Sequence, residues 1–272
     1  MRKIISSVLV VLFTITLATA QSKETRSVET FNKLSFRVPG KLYLRQGSPQ
    51  KVELEGSKEF LSEVETKVEG GKLVIGKEGK WNMGWNWGND DKIVAYVTVK
   101  DLNAISVSGS GDLIGETKFI TSDMDLNVSG SGGLQIEIEA SGEMEADVSG
   151  SGHIDLKGTC RSFNSDVSGS GRVVMATTIK EKASFGISGS GKIEASGTAS
   201  EVKAVLSGSG RVLAANLETN KCEVRISGSG DVEINVKSEL DANISGSGSV
   251  SYKGNPGHVN SHASGSGHVR KM

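Results

Sequence analysis

The stretch Glu145-Ala-Asp-Val148-Ser149-Gly150-Ser151-Gly152-His153-Ile154-Asp155 decides the fold of this chain, because its centre keeps returning. Ser-Gly-Ser-Gly begins at Ser108, Ser129, Ser149, Ser168, Ser188, Ser207, Ser227, Ser245 and Ser264, successive starts lying 18 to 21 residues apart. A period near twenty residues marks a solenoid, in which one supersecondary unit stacks on the next. Immediately before the tetrapeptides stand Val107, Val128, Val148, Val167, Ile187, Leu206, Ile226, Ile244 and Ala263. The second position after them holds Leu113, Leu134, Ile154, Val173, Ile193, Val212, Val232, Val250 and Val269. Intervening positions are mainly polar, as at Asn127, Asp147, Asp166, Arg225 and Asn243. This alternation with period two is that of half-buried strands.

Each repeat therefore reads as a strand, a small-residue corner, a second strand and a looser connection. The expected fold is all-β: a parallel β-helix, or solenoid, of ~20-residue coils with the corners stacked along one edge. The corner glycines have a structural role, namely Gly109, Gly111, Gly130, Gly132, Gly150, Gly152, Gly169, Gly171, Gly189, Gly191, Gly208, Gly210, Gly228, Gly230, Gly246, Gly248, Gly265 and Gly267. A series of antiparallel hairpins competes with this reading, since Gly-containing turns also join hairpins. Hairpin turns alternate between the ends of a sheet, however, whereas here one sequence recurs at one end only.

Three parts follow: residues 1–20, a non-repeating β part at 21–103, and the nine repeats at 104–272, the last two forming one continuous domain. In the non-repeating part, Leu34-Ser-Phe36-Arg-Val38 and Val52-Glu-Leu54 alternate as strands. Thr66-Lys-Val68 and Leu73-Val-Ile75 flank Glu69-Gly-Gly71 like a hairpin or a tight bend, and residues 57–64 read as a short helical turn. This part is expected to supply irregular first coils and to cover the open N-terminal end of the core. At the other end, His268, Arg270 and Lys271 charge the last strand, a guard against edge pairing.

Met1-Arg-Lys3, the apolar run from Ile4 to Leu17 and Ala18-Thr-Ala20 have the form of a secretory signal peptide, so the mature chain is expected to start at Gln21. No second long apolar run exists to cross a membrane. Without the signal, 29 basic face 32 acidic residues, and no basic stripe points to nucleic acid. Cys160 and Cys222, the only cysteines, lie about three repeats apart, too far in a stack to bridge. Two free thiols are expected, with Cys222 in the core.

Together, the Phe31-to-Gly47 opening, Val68-Glu-Gly-Gly-Lys-Leu-Val-Ile75, Val94-Ala-Tyr-Val-Thr-Val99 leading to Leu102, and the serial hydrophobe-Ser-Gly-Ser-Gly corners resemble the head GIN domain family of auto-transporter adhesins. The resemblance covers essentially the whole mature chain. It implies a β-superhelix similar to the pectin-lyase group, with the corner joining two sheets. It also implies export by a Gram-negative bacterium to the periplasm or cell surface, a role in adhesion, and no catalytic residues to carry over.

Three groups of side chains could carry chemistry. Trp81, Trp85 and Trp87 crowd a segment rich in Asn, Gly and Asp; they read either as a ligand-binding loop or as a cap folded onto the core. Asp125, Glu145, Asp147 and Asp166 should share adjacent outward columns of neighbouring coils, either as a solvated acidic face or as a weak calcium or acid–base site. His258, His262 and His268 cluster late in the chain; three imidazoles could bind a transition metal, but at the end of a stack they read as surface residues. No Gly-x-Ser-x-Gly elbow exists, and the repeated serines lack a co-repeating base. No cofactor or resident metal is expected. The leading function is an exported, non-enzymatic binding or adhesion module for a surface glycan or protein. The alternatives are a polysaccharide-cleaving β-helix enzyme, which needs a groove where acids meet a basic clamp, a convergence the sequence does not show, and a self-associating scaffold.

Overall fold

Strands that enter a corner pair in parallel with one another, and so do the strands that leave it. This is the arrangement of a computed structural model that describes residues 22–77 and 92–272. In the entering sheet, sheet A, Met124–Gly130 lies between Ala104–Gly109 and Glu143–Gly150, with Gly130 opposite both Gly109 and Gly150. The register continues glycine to glycine through Gly169, Gly189, Gly208, Gly228 and Gly246. In the leaving sheet, sheet B, Gly133–Ala140, His153–Cys160 and Arg172–Ile179 follow in the same way. The next three strands, Lys192–Gly208, Arg211–Gly228 and Asp231–Gly246, run unbroken through the far bend and belong to both sheets. The corners thus superimpose along a single edge, and the chain is a parallel solenoid and not a meander.

Stacking sets what a corner tolerates. At Gly130 φ is +114°, and a Cβ there would sit 2.6 Å from Gly109 O. That carbonyl already accepts the N–H of Ser131 at 2.8 Å and of Gly132 at 2.9 Å. The ladder therefore continues through the turn.

Between the sheets lies a dry aliphatic column. Large and small side chains alternate across it: Phe163 and Ser165 share one coil, Ala183 and Phe185 the next, so the two rings sit diagonally. Their centroids are 6.4 Å apart in an edge-on arrangement, the geometry aromatic quadrupoles favour. Buried Ser165 donates to Ala146 O at 2.7 Å, which satisfies its hydroxyl across coils.

The N-terminal part departs from chain order. Lys33–Phe36 pairs with Lys72–Lys77 on one side and Ala104–Gly109 on the other. Gly40–Gln46 pairs likewise with Ile93–Val99 and Asp112–Thr121. The coil formed first in sequence is therefore second in the stack. Beyond residues 72–99 the direction reverses: Val64–Glu69 and Lys51–Gly56 pair antiparallel to that coil, and Ser22–Arg26 pairs antiparallel to Lys51–Gly56. Between the first two lies the helix Lys58–Glu63, capped by Ser57, whose hydroxyl accepts Phe60 N–H at 3.2 Å. Its Phe60 and Leu61 are buried. These antiparallel strands and the helix close the end of the core, as the hairpin and helical-turn signals anticipated.

Candidate functional site

Because outward side chains on neighbouring coils stand in columns, a site on this fold is a patch of columns. On sheet A, Asp125 is registered with Glu145, and Asn127 with Asp147 one column over. Asp166 follows Asp147, whose Oδ1 accepts the Asp166 N–H at 3.0 Å. The four carboxylates singled out from the sequence are therefore neighbours. They repel one another. Partial desolvation, then the charges of Asp147 and Asp125, raise the Glu145 carboxyl above its ordinary range. Asp147 is raised chiefly by burial; the Asp166 N–H opposes this, while the charges of Asp166 and Asp125 add to it. Asn164 donates to Glu143 at the margin of the patch.

Below Asp166 the column meets Gly186 and then Val205. A Cβ on Gly186 would fall 1.9 Å from Asp166 Oδ1, so the carboxylate leans over bare backbone. The missing side chain leaves a shallow, open depression of about 380 Å³, lined by Glu145, Asn164, Asp166, Lys182, Ser184 and Lys203 among others. Acidic and basic groups thus meet across one notch. The sequence reading saw no such convergence, because Lys182 and Lys203 come from later repeats and Gly186 looked like any other glycine. Among the described residues, no group of three or more His, Cys, Asp or Glu is arranged to hold a metal ion. Trp81, Trp85 and Trp87 lie outside the described residues, in the segment joining Lys72–Lys77 to Ile93–Val99.

The family model described as "Putative auto-transporter adhesin, head GIN domain" matches residues 30–194 and 180–256. The chain belongs to this family. Among solved structures, a "Putative lipid binding protein" from Parabacteroides distasonis ATCC 8503 superposes with a TM-score of 0.71 at 22% identity, covering 94% of this chain and 98% of its own. A "putative adhesin" from Parabacteroides merdae ATCC 43184 has the same TM-score at 18% identity, covering 94% and 97%. A second "putative adhesin" from Parabacteroides distasonis ATCC 8503 gives 0.53 at 22% identity, covering 94% and 98%. These likenesses establish the fold. No curated protein matches.

Elsewhere on this head GIN domain, sequence reading passed over Tyr43 and Tyr96. They are registered across adjacent strands of sheet B and stack at 5.6 Å with 17° between their planes. Lys23 Nζ sits 4.9 Å from the Tyr96 centroid. With one ring face on its partner and another under a cation, the pair offers edges and hydroxyls more than a stacking platform. A periodic signal could have found it only through the unexpected stacking of residues 40–46 on 93–99. The late histidines are split between sheets, His258 and His262 on A and His268 on B. Cys160 and Cys222 are free and buried, and desolvation pushes both thiols up to about 12.

Proposed function

We propose that this head GIN domain is an exported, non-enzymatic adhesion module that recognises a surface glycan or protein through rigid outer columns. The single observation that carries this reading is the depression over Gly186. There carboxylates, lysines, an amide and a hydroxyl converge on a surface held by continuous ladders on every side. Such a mixed polar notch suits the many donors and acceptors of a sugar or a polar peptide. It is open and shallow, a surface on which a ligand docks and not a pocket that encloses a reacting bond. The tryptophans at 81, 85 and 87 are a second contact surface in this proposal, and the signal-like residues 1–20 supply the export.

The test is a screen of the mature protein against arrayed glycans and matrix proteins, with a polysaccharide depolymerisation assay alongside. Asp166→Ala with Lys203→Ala should remove binding to the hit while far-UV circular dichroism stays unchanged. Trp81→Ala, Trp85→Ala and Trp87→Ala combined should weaken it. Release of oligosaccharides would sink the non-enzymatic reading, and the absence of any hit would sink the adhesion reading.

A further inference from the structure

The residue following each Ser-Gly-Ser-Gly forms one outward column on sheet B. Through the middle of the stack it reads Asp112, Gly133, His153, Arg172, Lys192, Arg211 and Asp231. Arg172, Lys192 and Arg211 are three cations on three successive strands, spaced by about 4.8 Å. His153 is not part of the run. A Cβ on Gly133 would fall 2.4 Å from His153 Cε1 and 2.9 Å from Asp112 Oδ1, so the imidazole leans toward that end of the column.

Like charges side by side on a ladder destabilise a sheet, so the fold itself does not account for this run. Lys192 pairs with Glu194 at 2.9 Å and Arg211 with Asp231 at 3.7 Å. Both pairs are solvent-exposed, of the kind an incoming anion displaces with little loss. Arg172 has no ion pair among the described residues. Two residues before each cation stands an exposed serine: Ser170, Ser190 and Ser209. Their N–H groups are held by Gly150 O, Gly169 O and Gly189 O, each at 2.9 Å, while the hydroxyls make no hydrogen bond among the described residues. Cations and free hydroxyls therefore run side by side along the stack axis.

We propose that this column binds an acidic polysaccharide, a linear chain carrying carboxylate or sulfate groups on successive sugars. Such a polymer advances by about one ring per charge, a step comparable with the strand spacing, so its anions meet successive coils. Its ring hydroxyls meet the corner serines. The carboxylates of sheet A repel the same polymer, and on sheet B Asp155, Glu194 and Glu233 in the neighbouring column hold it to the line of the cations and the corner serines. A single-stranded nucleic acid fits less well: the neighbouring column of Gln135, Asp155, Val174, Glu194, Leu213 and Glu233 offers no aromatic ring for a base to stack on. This site is separate from the depression over Gly186, and either can fail without the other.

The experiment measures binding of the full chain to polygalacturonate, dextran sulfate, neutral dextran and a single-stranded oligonucleotide by biolayer interferometry at low and high salt. Either or both acidic polysaccharides should bind, neutral dextran should not, and the signal should weaken with salt. Arg172→Glu with Lys192→Glu should weaken polyanion binding about tenfold or more, whereas Lys221→Glu with Arg225→Glu, exposed on sheet A and outside the depression, should leave it unreduced. Both double variants replace exposed or half-exposed side chains, and unchanged circular dichroism checks their folds. Equal binding of acidic and neutral polymers, tighter binding of the oligonucleotide, or indifference to the sheet B variant would each overturn the proposal. A glycan hit that depends on Asp166 would still stand.

Discussion

Gly109 and Gly130 occupy the same place in the same tetrapeptide, yet the solenoid predicts different responses to alanine. Both have positive φ, +86° and +114°. For an L-residue that conformation costs about 1–2 kcal/mol. A Cβ on Gly109 meets nothing within 4 Å, because the preceding coil has no matching glycine corner, whereas one on Gly130 would sit 2.6 Å from Gly109 O. That oxygen cannot retreat without stretching its bonds from Ser131 and Gly132, and forcing an atom into packed structure adds roughly 1–3 kcal/mol. Gly109→Ala should therefore cost about 1–2 kcal/mol, and Gly130→Ala about 2–5 kcal/mol in total. Urea unfolding followed by far-UV circular dichroism reads the difference, with equal m-values confirming that the same unit unfolds. Equal losses, or a larger loss at Gly109, would refute the claim that the neighbouring corner and not the turn alone dictates glycine.

Two further outcomes follow from burial and charge. The Asp147 carboxyl binds its proton more tightly in the folded chain than in the unfolded one, so its contribution is most favourable at acid pH and is lost as pH rises through the raised value. Asp147→Asn should therefore raise the urea midpoint at neutral pH, with the gain shrinking as pH falls toward the ordinary aspartate value of about 4; destabilisation at neutral pH would contradict the repulsive cluster. With thiols pushed up to about 12 and buried, Cys160 and Cys222 should resist a thiol reagent at mildly alkaline pH in the native protein and react fully in denaturant. Rapid native labelling of either would contradict the dry column.

Much of this architecture was legible because the corner is the one place where every coil must match its neighbour. The variable repeat length is absorbed elsewhere, in shifts of register such as Gln135/Glu137 and Ala214/Glu218 on sheet B. The acidic columns could be read from the same alignment, since Asp147 and Asp166 hold equivalent positions. The depression could not, because it arises from one absent side chain at Gly186 and from lysines that reach it out of other repeats. The cationic column stood in the same alignment, at the position after three successive tetrapeptides, and was passed over because that position is mixed along the rest of the chain. The placement of residues 33–46 between two later coils was also illegible, as no periodicity states which coil a strand will choose.

That placement bears on how the molecule is made. A chain emerging amino end first lays down residues 33–46 before either of its flanking layers exists, and those layers, 72–99 and 104–121, arrive from opposite sides. Assembly from the amino end cannot then proceed layer by layer in chain order. Residues 33–46 have both flanks only once residue 121 is present, and any truncation before it leaves one flank incomplete.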